Sequence, residues 1–154
     1  MIISVIVFLI GLVFGSFLNV LIYRLPLGIS LLKPIGSACP HCNYKIKWYE
    51  NIPVFSYLFL KGRCSSCSDS ISKSYPIVEL ITAAVTLMLY SNFWIGWDMI
   101  ITISLFYVLI VLSFIDLKYR AVPDYLLIIV VVLAILVGDI INILLFTGGF
   151  VLLE

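Results

Sequence analysis

Cys39-Pro-His-Cys42 and Cys64-Ser-Ser-Cys67, with twenty-one residues between them, are the polar landmark of an otherwise apolar chain. Four thiols set out as two CxxC pairs match a ribbon. Each pair makes a tight knuckle, and the two knuckles offer four sulfurs to one tetrahedral ion. Two disulfides are the rival reading, and the compartment bears on the choice. Of nine Lys and Arg, seven lie between Arg24 and Lys73, and the same segment holds only Glu50 and Asp69 as acids. Short basic loops stay on the cytoplasmic side of a membrane, where thiols remain reduced. Spacing and charge together favour a structural metal site, Zn2+, on Cys39, Cys42, Cys64 and Cys67. Four sulfurs leave no open position for catalysis. His41 reads as an exposed knuckle residue.

The rest of the chain points to a membrane. Of 154 residues, 64% are hydrophobic and 11% charged. A soluble domain of this size cannot cover that much apolar surface. The expected partner is the lipid bilayer. A net charge of +1 without a basic tract gives no reason to expect nucleic acid. The start, Met1-Ile-Ile-Ser-Val5, has no positive region and no small-x-small cleavage site, so it reads as an uncleaved span.

Four spans follow from the apolar runs: Ile2 to about Tyr23, Pro76 to about Tyr90, about Met99 to Ile115, and Tyr125 to near Gly138-Asp139. The fourteen residues Ile140 to Leu153 read as a partial fifth. The fold expected is therefore an all-α polytopic membrane protein of about four transmembrane helices plus a partial fifth, with a small cytoplasmic four-cysteine, zinc-ribbon-like insert. Its N-terminus is outside, and loops 24–75 and 116–124 are inside. Gly11-Leu-Val-Phe-Gly15 is a GxxxG that lets a second helix approach closely. Between the knuckles, Trp48 to Leu60 is rich in aromatics and leucine. It reads as a small ribbon core that also lies against the membrane interface, which leaves Glu50 and Asn51 unexplained.

Among the polar residues, Asn19 sits inside the first span and needs a second helix or a ligand as partner. Glu79 reads as part of the first turn of the second span, where the helix dipole favours a carboxylate. Asp116 ends the third span as either a functional carboxylate or a solvated helix end beside Lys118 and Arg120. Asp124 follows Pro123 and reads as an N-cap. Asp139 falls near the opposite face, out of reach of Asp116.

Taken in order, these blocks resemble the type IV prepilin peptidase family, from Gly15 to about Leu126. The residues that carry the resemblance are Gly15-Ser-Phe-Leu-Asn19-Val-Leu-Ile-Tyr-Arg24-Leu-Pro26, Cys39-Pro-His-Cys42 and Trp48-Tyr-Glu-Asn-Ile-Pro53. They continue with Gly62-Arg-Cys64-Ser-Ser-Cys67, Ser74-Tyr-Pro-Ile-Val-Glu79-Leu and Ile115-Asp116 … Val122-Pro-Asp124. The resemblance implies a bifunctional enzyme of the bacterial inner (cytoplasmic) membrane. It cleaves the leader of type IV prepilins and pseudopilins and N-methylates the new terminus with S-adenosylmethionine. It implies an intramembrane aspartic peptidase, with Asp116 the first of two catalytic carboxylates and Asp124 supporting. Asn19, Arg24, Glu50 and Glu79 become the candidates for the methyl-donor site. Residues 1–92 would form the methyltransferase-associated region and 98–154 the start of the peptidase domain.

The family's second aspartate lies in a Gly-x-Gly-Asp motif several dozen residues after the first, and this sequence stops before it. Gly138-Asp139 does not replace it, because position 136 is Leu. The expectation is a C-terminally truncated member. The alternative is a non-proteolytic remnant, either a methyltransferase or a zinc-ribbon membrane scaffold.

Overall fold

The computed structural model describes residues 2–31, 36–92, 96–120 and 122–151, with side chains described as far as Gly138. Its helices run in the order α1 (Ile2–Arg24), α2 (Phe55–Phe59), α3 (Ser74–Asn92), α4 (Trp97–Tyr119) and α5 (Asp124–Val151). A single turn of 3-10 helix, Trp48–Asn51, precedes α2. Among the described residues there is no named strand, only two isolated antiparallel bridges, Ala38 with Lys45 and Arg63 with Ser70.

Among the residues whose side chains are described, three helices, α1, α3 and α4, are long and apolar enough to cross a membrane. At ~1.5 Å per residue, 23 residues in α1 and α4 and 19 in α3 give roughly 34 and 28 Å, which matches a hydrocarbon core of ~30 Å. The ends differ from the hydropathy reading by a few residues. Helix α4 runs on to Tyr119, so Asp116 lies inside it, one turn from the end. It stops where Arg120 turns left-handed (φ 51°) and donates its N–H to the Asp116 carbonyl at 2.8 Å. That is a glycine-like cap, followed by Pro123.

A larger difference concerns α5. The expected end near Gly138 and restart at Ile140 is replaced by one helix of 28 residues. Gly138 costs the helix only ~1 kcal/mol and no proline follows, so the chain continues through this point. The Asp139 side chain lies outside the described residues. Asp124 also departs from expectation: it is the first residue of α5 and exposed to solvent on one side, and its carboxylate acts on the helix dipole from inside the first turn.

Helices α1 and α3 pack antiparallel at backbone distance. A Cβ built on Gly11 would lie 2.6 Å from the Ala83 Cα, and one on Gly15 would lie 2.6 Å from the Glu79 Cα. The GxxxG reading is thus correct, and its partner is an equally spaced Glu79–Ala83 pair. Helix α4 joins α1 through Phe14 and Tyr107, whose ring centroids are 5.6 Å apart. It joins α3 through a 2.7 Å hydrogen bond between the Thr86 and Tyr107 hydroxyls. The buried apolar core, Leu18, Ile22, Val78, Ile110, Val111, Ile115 and Leu126, sits toward the end where α1 and α4 finish and α3 and α5 begin.

The Trp48–Leu60 stretch is not a ribbon core. Ser56 is the buried residue of α2, whereas Trp48, Phe55, Leu58 and Phe59 are exposed. Backbone hydrogen bonds close the knuckles without aromatic filling.

Candidate functional site

The two knuckles are near copies of each other, displaced by 25 positions. In the first, the Cys39 N–H donates to the Tyr44 carbonyl (3.0 Å) and the Asn43 N–H to the Cys39 carbonyl (2.9 Å). In the second, Cys64 donates to Asp69 (2.8 Å) and Ser68 to Cys64 (3.0 Å). The turning residues, Asn43 (φ 55°) and Ser68 (φ 58°), occupy equivalent left-handed positions. This geometry points all four sulfurs inward, within 4.8 Å of one another. The Cys39–Cys67 and Cys42–Cys64 sulfur separations are 3.8 and 3.9 Å. A disulfide needs ~2.05 Å, so the cysteines are free thiols and the disulfide reading falls. A tetrahedral ion with metal–sulfur bonds of ~2.3 Å needs sulfur–sulfur edges of about 3.8 Å, and the thiol set fits it.

Electrostatics agree with a waiting cation. The Cys67 and Ser66 amides donate to the Cys64 sulfur and lower its pKa to about 7. The Asp69 amide favours the Cys67 thiolate as well, but desolvation and the thiols of Cys42, Cys64 and Cys39 outweigh it and push Cys67 up to about 12. Crowded thiols cannot all ionise without positive charge between them. His41 is exposed, as its sequence position implied, and reaches the opposite knuckle with its Nε2 3.0 Å from the Asp69 carboxylate.

Beneath the knuckles lies a cavity of about 350 Å³. Its wall includes Asn19 and Arg24 from α1, Glu50 from the 3-10 turn, Glu79 from α3, and Cys39 and Cys64. The four polar residues singled out by sequence thus come from separated blocks of the chain and meet at one space. Each also holds the fold around that space. The Asn19 side-chain amide donates to the Tyr75 carbonyl at 3.0 Å, tying α1 to the first turn of α3. Arg24 is buried and donates to the carbonyls of Ser30, Leu31 and Gly36 at 3.0, 3.2 and 2.9 Å, pinning the chain that leads to the first knuckle. Glu50 accepts the Lys47 N–H at 2.9 Å. That bond, then the Ser65 hydroxyl, holds its carboxyl below the ordinary glutamate range.

Glu79 departs most from expectation. Helix α3 begins two residues early, so Glu79 is its sixth residue, beyond the first turn where the helix dipole would favour it, and it is buried. Its carboxylate accepts the Val54 N–H at 2.7 Å. Val54 has φ 62° and ψ −49°, a conformation β-branched residues avoid. The buried carboxylate therefore holds a strained turn of the insert against the helix pair.

Asp116 and Asp124 are not among the residues that line the cavity; both sit by the turn between α4 and α5. Sequence reading missed Lys118 and Tyr75 in the cavity wall. Lys118 reaches Tyr23 across the α1–α4 interface, its ammonium 5.5 Å from the ring centre. Their only early signal was placement, beside Asp116 and before Pro76, at helix ends facing the insert.

The family model described as the bacterial peptidase A24 N-terminal domain matches residues 9–93. The chain is 39% identical to the prepilin leader peptidase/N-methyltransferase of Aeromonas hydrophila, over 78% of this chain and 49% of that relative. It is 41% identical to the protein of the same name from Myxococcus xanthus (strain DK1622), over 78% of this chain and 36% of the relative. For the Vibrio cholerae protein of that name the identity is 39%, over 77% and 49%. The chain spans about half the length of the curated relatives it matches, or less. No solved structure matches it.

Proposed function

The chain belongs to the bacterial peptidase A24 N-terminal domain family, and from that premise we propose that it serves prepilin leader cleavage and N-methylation at the cytoplasmic membrane face. Residues 1–92 form the methyl-transfer region and 98–154 begin the aspartic peptidase region. The substrates are type IV prepilins or pseudopilins. The insert faces the cytoplasm of a multi-pass inner-membrane protein, in keeping with the seven cations between Arg24 and Lys73.

The observation that carries this reading is the convergence of Asn19, Arg24, Glu50 and Glu79 on one cavity at the end of the membrane helices. About 350 Å³ is within the range of small-molecule sites. S-adenosylmethionine would supply an electrophilic methyl group there. The chain's own part is to hold and orient. Glu50 and Glu79 set negative charge beside a ligand that carries a sulfonium and an ammonium group. Asn19 and Arg24 fix the floor through backbone carbonyls. Zinc on Cys39, Cys42, Cys64 and Cys67 would lock the two knuckles as the roof. In the peptidase, Asp116 is the first carboxylate of a pair sharing one proton, and Asp124 supports the turn beside it.

The test is methyl transfer from labelled S-adenosylmethionine to a mature pilin N-terminal peptide, with the chain in detergent micelles and Glu50→Gln as control. Transfer that falls in the control supports the assignment; transfer indifferent to Glu50→Gln and Asn19→Ala removes it. One observation favours a narrower second reading: Asp116 and Asp124 stand outside the cavity. On that reading this segment holds and methylates substrate without cutting it. Prepilin cleavage that survives Asp116→Asn would exclude Asp116 from the cutting step.

A further inference from the structure

We propose that α2 is an interfacial helix that rests in the membrane surface, with Phe55, Leu58 and Phe59 toward lipid. These residues recur at i, i+3 and i+4 and so share one face. They are 52%, 65% and 84% exposed, and Trp48 just before them is 81% exposed. Ser56, off that face, is buried and bonded. The Ser56 hydroxyl donates to the Tyr49 carbonyl at 2.8 Å and accepts the Ile52 N–H at 2.9 Å. An apolar face this open on a five-residue helix needs a cover.

Its depth identifies the cover. The Val54 N–H, at the start of α2, is fixed 2.7 Å from the Glu79 carboxylate. Glu79 is five residues inside α3, about 7 Å along the axis at ~1.5 Å per residue. It packs on Gly15, nine residues before the end of α1, about 13 Å along that axis. Glutamate side chains lean toward the helix N-terminus, which returns a few ångströms. Helix α2 therefore starts beside the second turn of α3 and the last three turns of α1, not beyond their ends. That is the level of the headgroup–acyl boundary, into which amphipathic helices sink an apolar face by ~5–10 Å.

Charge supports the same occupant. Lys47 lies before the segment and Lys61 and Arg63 after it, and Lys61 is exposed. Basic residues flanking an aromatic face suit anionic headgroups. An aqueous protein partner would meet the face only by entering the bilayer edge.

The test uses the whole chain in vesicles of phosphatidylcholine and phosphatidylglycerol. Trp94 and Trp97 are replaced by Phe so that Trp48 reports alone. A second variant adds Trp48→Phe and Phe59→Trp. Lipids brominated near the headgroup end of the acyl chain should remove about half or more of the emission, and aqueous iodide should remove little. Strong iodide quenching with no bromine effect, at both positions, would overturn the proposal. So would a reporter indifferent to lipid that is shielded only on adding a pilin peptide, because the occupant would then be protein.

Discussion

Replacing Gly15 by Ala separates the helix-pair contact from the seating of the insert. The new Cβ would stand 2.6 Å from the Glu79 Cα and 3.2 Å from the Glu79 carbonyl oxygen. Carbon atoms prefer at least ~3.5 Å, so α1 and α3 must part by about 1 Å. The residue pressed is Glu79 itself, whose carboxylate takes the Val54 N–H at 2.7 Å, so the strain falls on the contact that seats the insert. Gly11→Ala is the matched control, because its Cβ meets the Ala83 Cα at the same 2.6 Å, and Ala83 holds nothing in the insert. Both variants should lose ~1–3 kcal/mol through overpacking. Only Gly15→Ala should also lose the charge-assisted bond, ~1.5–3 kcal/mol, which the strained Val54 turn does not restore. Native-state hydrogen exchange reads the difference. Amides of residues 54–60 should exchange roughly 10- to 150-fold faster in Gly15→Ala than in Gly11→Ala. Equal rates in the two variants, or no change in either, would refute the coupling of insert to helix pair through Glu79.

Other outcomes follow from the same geometry. Arg24→Lys keeps the charge but cannot reach the three carbonyls of Ser30, Leu31 and Gly36. It should cost about 2 kcal/mol and make the segment after α1 sensitive to protease, whereas unchanged resistance would contradict the anchoring role. Tyr107→Phe removes the 2.7 Å bond to Thr86 and should lower thermal stability in detergent by ~0.6–1.7 kcal/mol; no loss would show that the bond is compensated. Zinc affinity should fall as pH drops. The Cys64 thiolate, present above about 7, is lost below it, and Cys67, pushed up to about 12, ionises at neutral pH only where the metal takes the sulfur and the proton is released to solvent. Competition with a chromophoric chelator should therefore show affinity dropping by roughly tenfold or more between about pH 8 and 6, and a flat profile would argue against ligation by these thiols.

The spans were legible because apolar length alone sets them, and the cluster of four cysteines because CxxC spacing fixes a knuckle locally. Gly11 and Gly15 were legible for the same local reason, although their partners Glu79 and Ala83 were not. The rest needed three-dimensional neighbours. A glutamate one turn into a helix looks like a dipole partner until the strained Val54 N–H is found against it. An aromatic run has the same composition whether it fills a core or stays open, so only exposure showed that Trp48, Phe55, Leu58 and Phe59 do not fill one. Arg24 read as a ligand contact, yet backbone carbonyls, which carry no sequence signature, take its guanidinium. The continuity of α5 past Gly138 was hidden because a glycine followed by an acid resembles a turn in a one-dimensional pattern.

The most direct test of the account is equilibrium binding of labelled S-adenosylmethionine to the zinc-loaded chain in detergent micelles. Saturable binding is expected, weakened roughly tenfold or more by Glu50→Gln and by Asn19→Ala, and left unchanged by Asp116→Asn. Binding that ignores the first two substitutions, or no binding at all, would contradict the assignment of the cavity beneath the thiol knuckles as the methyl-donor site.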